Sequence, residues 1–194
     1  MPVRFVLVAP VHPGNVGAAA RGMKNMRLHD LVLVRPAQFP HADATALASG
    51  ADDLLARARV VDTVAEAIAD CGLVYGTSAR TRSQYHWPGH TPREAAPRLL
   101  AAAAEGHAAV LFGTERIGLT NEELELCHAL IHIPTNPEYD SLNLSQAVQV
   151  IAYELRVAQD LPPLRPEREW PLAPVEELDR LYAHFDVVLR EVDF

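Results

Sequence analysis

Short apolar runs alternate with amphipathic stretches along this 194-residue chain. Val3 to Val8 is apolar except for Arg4, the pattern of a strand buried on both faces. His12-Pro13-Gly14-Asn15 then turns the chain, and Val16 to Met26 reads as a helix with its alanines and methionines inward. Leu31 to Val34 predicts a second strand, closed by Arg35-Pro36. The alanine-rich stretch from Ala42 to Arg57 reads as helical, with an interruption at Ser49-Gly50. Val60-Val61 is a short strand, Val64 to Asp70 a helix, and Gly72 to Gly76 a strand running into a polar loop, Thr77 to His90.

Pro92 suits the first turn of a helix reaching Ala104, with Pro97 a candidate to delay its start. Ala108 to Phe112 predicts a buried strand ending at Gly113, and Leu130 to Ile133 predicts the last strand. Between them, Thr120-Asn121-Glu122-Glu123 has the form of a capping box. From Asn143 to Ala158 an apolar stripe (Leu144, Ala147, Val148, Ile151, Ala152, Leu155) predicts a helix. Asp160 to Pro174 holds five prolines and reads as a linker, and Val175 to Val192 as a final amphipathic helix. Strands alternating with helices predict an α/β fold, a mostly parallel sheet with helices on both faces.

Composition narrows the class only a little. Nearly half the residues are apolar, yet no run reaches eighteen, so no membrane-spanning helix is expected. The start of the chain lacks a cleavable signal pattern. Cys71 and Cys127 stand far apart without metal-like spacing, which predicts a reduced, cytoplasmic protein. The net charge of −8 argues against a surface coated for nucleic acid, although a local basic patch can still hold RNA. Sixteen arginines and a single lysine, Lys24, supply the positive charge.

Candidate chemistry sits in four loops that follow strands, where open α/β sheets bind ligands. The first runs from His12 through Gly17 to Arg21 and matches neither the dinucleotide glycine fingerprint nor a phosphate loop. Asn15 there either caps the helix or belongs to a site, and Arg21 could clamp a phosphate or ribose. The second, Gly76 to Arg82, joins small hydroxyl residues to two arginines, Arg80 and Arg82; the alternative is a solvated loop. In the third, two glycines bracket Glu115-Arg116 directly after a buried strand. That loop could wrap a cofactor, with Glu115 orienting a hydroxyl or another loop, or the pair could be a plain surface ion pair. The fourth, Ile133 to Ser145, is dense in hydrogen-bonding groups, and Ser141 or Asn143 could cap the helix that follows.

Three of these segments, Asn15 to Arg21, Phe112 to Leu119 and Ser141 to Ala147, resemble the three motifs of the SPOUT superfamily's RNA 2′-O-methyltransferase branch. Gly76 to Arg80, Leu119 to Leu124 and Asn136 to Leu144 are further similar to the bacterial tRNA (cytidine/uridine-2′-O)-methyltransferases. The resemblance runs from about Val3 to Arg156. It implies a SPOUT methyltransferase domain over residues 1–159 with a trefoil knot in its C-terminal part. Residues 160–174 would be a proline-rich linker, and 175–194 a C-terminal helix opening a shortened helical extension. S-adenosylmethionine would bind bent against the knotted loops, at Thr77, Ser78, Ala79, Gly113, Ile133, Ser141, Leu142 and Asn143. Arg21, Asn15, Glu115, Ser141 and Asn143 would form the catalytic set, and Arg21, Lys24, Arg80, Arg82 and Arg116 would meet RNA.

The implied reaction is methylation of a ribose 2′-OH in tRNA, at the cytidine or uridine of anticodon-loop position 32, by a homodimer that needs no metal. No histidine or carboxylate stands out as the base. Arg21 keeps its proton in a protein, so its expected part is to hold the 2′-OH and a neighbouring phosphate in line. Alternatives are another tRNA position, ribosomal RNA, or an RNA-binding relative without catalysis. The missing glycine fingerprint speaks against a dehydrogenase.

Overall fold

In the computed structural model, which describes residues 3–78, 87–159 and 174–192, the first apolar run forms β1 (Val3–Val8), buried along its whole length. Helix α1 (Pro13–Asn25) leads to β2 (Asp30–Val34). Two short helices, α2 (Ala42–Ala48) and α3 (Asp52–Arg57), precede β3 (Arg59–Val61). They are separate because Ser49 and Gly50 both take positive φ, 45° and 89°, which breaks the helix where the sequence indicated. After α4 (Val64–Ile68) come β4 (Cys71–Thr77), β5 (Gly89–His90), α5 (Pro92–Glu105) and β6 (His107–Phe112). Then α6 (Asn121–Glu125), β7 (Ala129–Ile131) and α7 (Leu144–Val157) follow, with α8 (Val175–Glu191) last.

The seven strands lie in the order β3-β2-β1-β6-β4-β7-β5, and every pairing is parallel. Alternate residues of the central strands feed two cores. Phe5, Leu7, Leu33, Val110 and Phe112 face α1, α2, α3, α5 and α7, while Val6, Val32, Val74 and Leu111 face α4 and α6. This order sets β1, β6, β4 and β7 side by side, so the loops leaving their carboxyl ends are neighbours in space. They are the four polar loops singled out above.

The opposite, amino-terminal rim is locked by a buried cation. Arg4 donates from Nε to Asp30 at 2.9 Å, from Nη2 to Asp70 at 3.0 Å and from Nη1 to the carbonyl of Ala67 at 2.8 Å. Its hydrogen bonds hold the Asp70 carboxyl well below the usual carboxylate range. The one charge interrupting the first apolar run therefore ties β1, β2 and the α4–β4 turn together.

Five local expectations are corrected. Helix α1 starts at Pro13, three residues before Val16, because proline is preorganised for the first turn and needs no hydrogen-bond acceptor there. Asn15 therefore lies inside the helix and does not cap it. Pro97 sits within α5 without delaying it, since the Thr91/Glu94 capping box fixes the start. The strand β5, two residues long, was not legible, and β7 ends at Ile131 two residues short of Ile133.

The chain divides into two compact units, Met1–Asp160 and Leu161–Phe194. In the second, α8 is amphipathic, with Leu178, Tyr182, Phe185 and Leu189 exposed and Arg190 paired with Asp186 at 2.7 Å. Among the described residues, no helix is long and apolar enough to cross a membrane.

Helix α1 approaches α2 through Gly17, where an added Cβ would lie 2.0 Å from the carbonyl oxygen of Ala44. A backbone atom cannot swing aside as a side chain can. Gly17→Ala is therefore expected to cost about 1–3 kcal/mol of stability, the range for overpacking. Urea unfolding checks it; an unchanged midpoint would contradict this account of the helix contact.

Candidate active site

The loop leaving β6 is built on two glycines. At Gly113 an added Cβ would fall 2.0 Å from the carbonyl carbon of Gly118 and 2.1 Å from the nitrogen of Leu119. Gly118 takes φ +72° and donates from its N–H to the carbonyl of Thr114 at 3.0 Å. The loop thus folds tightly on itself, which only glycine at 113 permits. In doing so it presents Glu115 towards the loop leaving β1.

There the Glu115 carboxylate gathers three donors. The backbone N–H of Val11 reaches Oε2 at 3.0 Å, that of His12 reaches Oε1 at 3.1 Å, and Asn15 Nδ2 donates to Oε1 at 3.0 Å. Asn15 Oδ1 in turn accepts from Asn143 Nδ2 at 2.9 Å. Asn143 Oδ1 accepts from the N–H and the hydroxyl of Ser145, at 2.9 and 2.7 Å, and caps α7. One continuous chain of hydrogen bonds therefore joins the loops after β6, β1 and β7. Asn143 is at once a helix cap and a link in that chain, so the two readings of it were compatible.

Burial alone would push the Glu115 carboxyl up. The hydrogen bonds from Asn15, Val11 and His12 outweigh it and hold the group below the ordinary carboxylate range. An ionised carboxylate so supplied with donors is a poor proton acceptor and a good clamp. Glu115 thus ties the loop after β6 to the loop after β1.

Beside this chain opens a cavity of about 280 Å³. Its rim carries Thr77 and Ser78 from the end of β4, Gly113 to Gly118 from the loop after β6, and Thr135, Asp140, Ser141 and Leu142 from the loop after β7. Leu119, Leu124, Ile131, Leu144 and Ala147 give it an apolar floor. The rim is tied at several points: Thr77 Oγ1 donates to the carbonyl of Leu111 at 2.9 Å, and His132 Nδ1 donates to that of Ser78 at 3.1 Å. An apolar floor with a polar, small-residue rim is what a nucleoside-bearing cofactor requires.

Of the residues proposed for the cofactor, Thr77, Ser78, Gly113, Ile133, Ser141 and Leu142 line this cavity. Asn143 stands behind it in the hydrogen-bond chain, and Ala79 lies outside the described residues. Arg116 is exposed at the rim. Arg21 is exposed on α1 and is not among the lining residues. Lys24 differs from both, because it is tied to α3 through Asp53 Oδ1 at 2.6 Å and the carbonyl of Gly50 at 2.8 Å. Arg80 and Arg82 fall outside the described residues. Sequence reasoning assigned no role to Thr135, Asp140, Leu119 or Leu124, although the last three fall in segments that carry the family resemblance.

Replacing Glu115 by Gln removes the charge and leaves one oxygen and one NH₂ group facing the three donors. The expected loss is about 1 kcal/mol near neutral pH, the weakening of hydrogen bonds that lose a charged acceptor. Because the folded-state pKa is lowered, this contribution is present above the ordinary carboxylate pKa and lost as pH falls through the lowered value. The gap between wild type and Glu115→Gln should therefore close in acid. Denaturant titrations across pH check it; a gap independent of pH would contradict the assignment.

Residues 2–153 match the SpoU rRNA Methylase family. Over 99% of its length the chain is 47% identical to the tRNA (cytidine/uridine-2′-O-)-methyltransferase TrmJ of Yersinia enterocolitica, covering 76% of that protein. It is 48% identical to the tRNA (cytidine/uridine/adenosine-2′-O-)-methyltransferase TrmJ of Pseudomonas aeruginosa, with 99% of this chain and 79% of the relative covered. The crystal structure of TrmJ from Z. mobilis ZM4 superposes with a TM-score of 0.75 at 42% identity, over 98% of this chain and 80% of the other. On its sequence, its fold and its four clustered loops, the chain belongs to the SpoU rRNA methylase family.

Proposed function

We propose that this chain is an S-adenosylmethionine-dependent methyltransferase of tRNA, acting on the ribose 2′-OH of the cytidine or uridine at anticodon-loop position 32. The observation that carries the reading is the Glu115–Asn15–Asn143 chain beside a cavity suited to a nucleoside, in a protein close to half identical to two tRNA 2′-O-methyltransferases. The cavity fits the cofactor on its own terms. Its lining sets apolar side chains such as Leu119, Leu124 and Ile131 beside the hydroxyls of Thr77, Ser78 and Ser141. Thr77, Ser78, Gly113, Ile133, Ser141 and Leu142 would hold it, and it would supply the methyl group on a sulfonium.

The chain's own residues then have a division of labour. Glu115, Asn15 and Asn143 keep three loops in one arrangement, the positioning contribution to rate. Arg21, a fixed cation on α1, holds the 2′-OH and an adjacent phosphate in line. Its absence from the cavity wall of its own chain fits a homodimer, in which α1 of one protomer serves the site of its partner. Arg116 joins it at the RNA, with Arg80 and Arg82 as further contacts. The C-terminal trefoil knot, the linker at 160–174, the helical extension beyond it and a cytoplasmic setting belong to the same proposal. Ribosomal RNA is the second reading, favoured by the description of the matching family.

The test is transfer from labelled S-adenosylmethionine to bulk tRNA of a strain lacking the corresponding enzyme, with the product nucleotide mapped. A 2′-O-methylated pyrimidine in the anticodon loop is expected; transfer to ribosomal RNA alone would support the second reading. Arg21→Ala should lower the rate of methylation at least about tenfold, ~1.4 kcal/mol of barrier, with cofactor affinity unchanged. A rate within about threefold of wild type would refute its role.

A further inference from the structure

One motif singled out by the sequence remains without a part in this scheme, the turn Asn136-Pro137-Glu138-Tyr139. The N–H of Tyr139 donates to the carbonyl of Asn136 at 2.9 Å, and that of Glu138 to Asn136 Oδ1 at 3.1 Å. Residues 136 and 139 are bridged antiparallel, so the turn is a closed knuckle. Both of its flanks are cavity wall, Thr135 on one side and Asp140 on the other, joined by a 3.5 Å hydrogen bond from Thr135 Oγ1 to the carbonyl of Asp140.

From this knuckle Tyr139 projects 81% exposed, the most open of the large apolar side chains among the described residues. An aromatic ring left in water forgoes a large burial gain, and here it stands on a closed turn flanked by two cavity-lining residues. Arg116 stands exposed at the same rim, with no ion pair or hydrogen bond among the described residues. An aromatic ring for stacking and an exposed guanidinium for phosphate, on two loops that line one cavity, are the side chains used to bind unstacked nucleotides.

We propose that Tyr139 is the platform on which the base of the target nucleotide stacks, with Arg116 on an adjoining phosphate. The inference rests on the RNA ribose reading above and adds how the base is held. Stacking tolerates any base, because each has a π face, whereas edge hydrogen bonds would select one. Base tolerance at the target position follows from the same contact.

The experiment is a double-mutant cycle in methylation kinetics on full-length tRNA, pairing Tyr139→Ala with an abasic ribose at the mapped target nucleotide. With normal tRNA, Tyr139→Ala should lower kcat/KM about tenfold, within the range for loss of one stacked base. Tyr139→Phe should stay within about twofold, since it keeps the ring. On abasic tRNA, Tyr139→Ala should make no further difference. An equal loss on abasic tRNA, no loss on normal tRNA, weaker S-adenosylmethionine binding by calorimetry, or an altered oligomeric state by sedimentation would each overturn the proposal. Failure of the wild type on every tRNA would remove the functional reading itself, and this inference with it. A working wild type with an indifferent Tyr139→Ala would remove only the inference.

Discussion

The arrangement of the loops depends on one carboxylate that takes up three donors from the segment joining β1 to α1. The loop from Ala9 to His12 crosses from β1 to α1 with exposed backbone at Val11 and His12, and their N–H groups both end on Glu115. Asn15 brings a third donor from the first turn of α1. Because Asn15 also accepts from Asn143, a single ionised group reaches through two amides to the start of α7. Charge-assisted hydrogen bonds of this kind are stronger than neutral ones, and each fixes one loop against another.

Everything that positions Glu115 serves this arrangement. The parallel order β1-β6-β4-β7 gathers the four loop-bearing strand ends on one rim. Gly113 and Gly118 let the loop after β6 fold back far enough to aim the carboxylate at α1, and Gly17 lets α1 settle against α2. At the far rim, Arg4 ties the amino ends of the same sheet to Asp30 and Asp70. The buried charge there is structural, and the ionised carboxylate at the near rim organises the site. Between them lie apolar strands that carry no chemistry of their own.

Much of this was legible in the sequence because strands buried on both faces leave continuous apolar runs. The break at Ser49-Gly50 and the capping box at Thr120 rest on local residue chemistry, and they too could be read directly. What could not be read was set by distant partners. Asn15 looks like a cap by its neighbours, yet the proline at 13 starts the helix earlier and frees the amide to meet Glu115, one hundred residues away in the chain. The strand β5 exists only because Gly89 and His90 lie beside Leu130 and Ile131. Lys24, expected to meet RNA, reaches Asp53, a partner that its neighbours in the chain do not announce. Thr135 and Asp140 belong to the cavity wall through the turn they flank, a relation no periodicity encodes.

The central claim is that the loops after β1, β6 and β7 act as one unit through Asn15 and Asn143. The most direct test measures S-adenosylmethionine affinity by calorimetry for Asn15→Ala, Asn143→Ala and the double variant. The account predicts that the double variant loses less than the sum of the two single losses, with a coupling of about 1 kcal/mol or more. Losses that add to within roughly 0.3–0.5 kcal/mol would show the two residues acting independently and would contradict it.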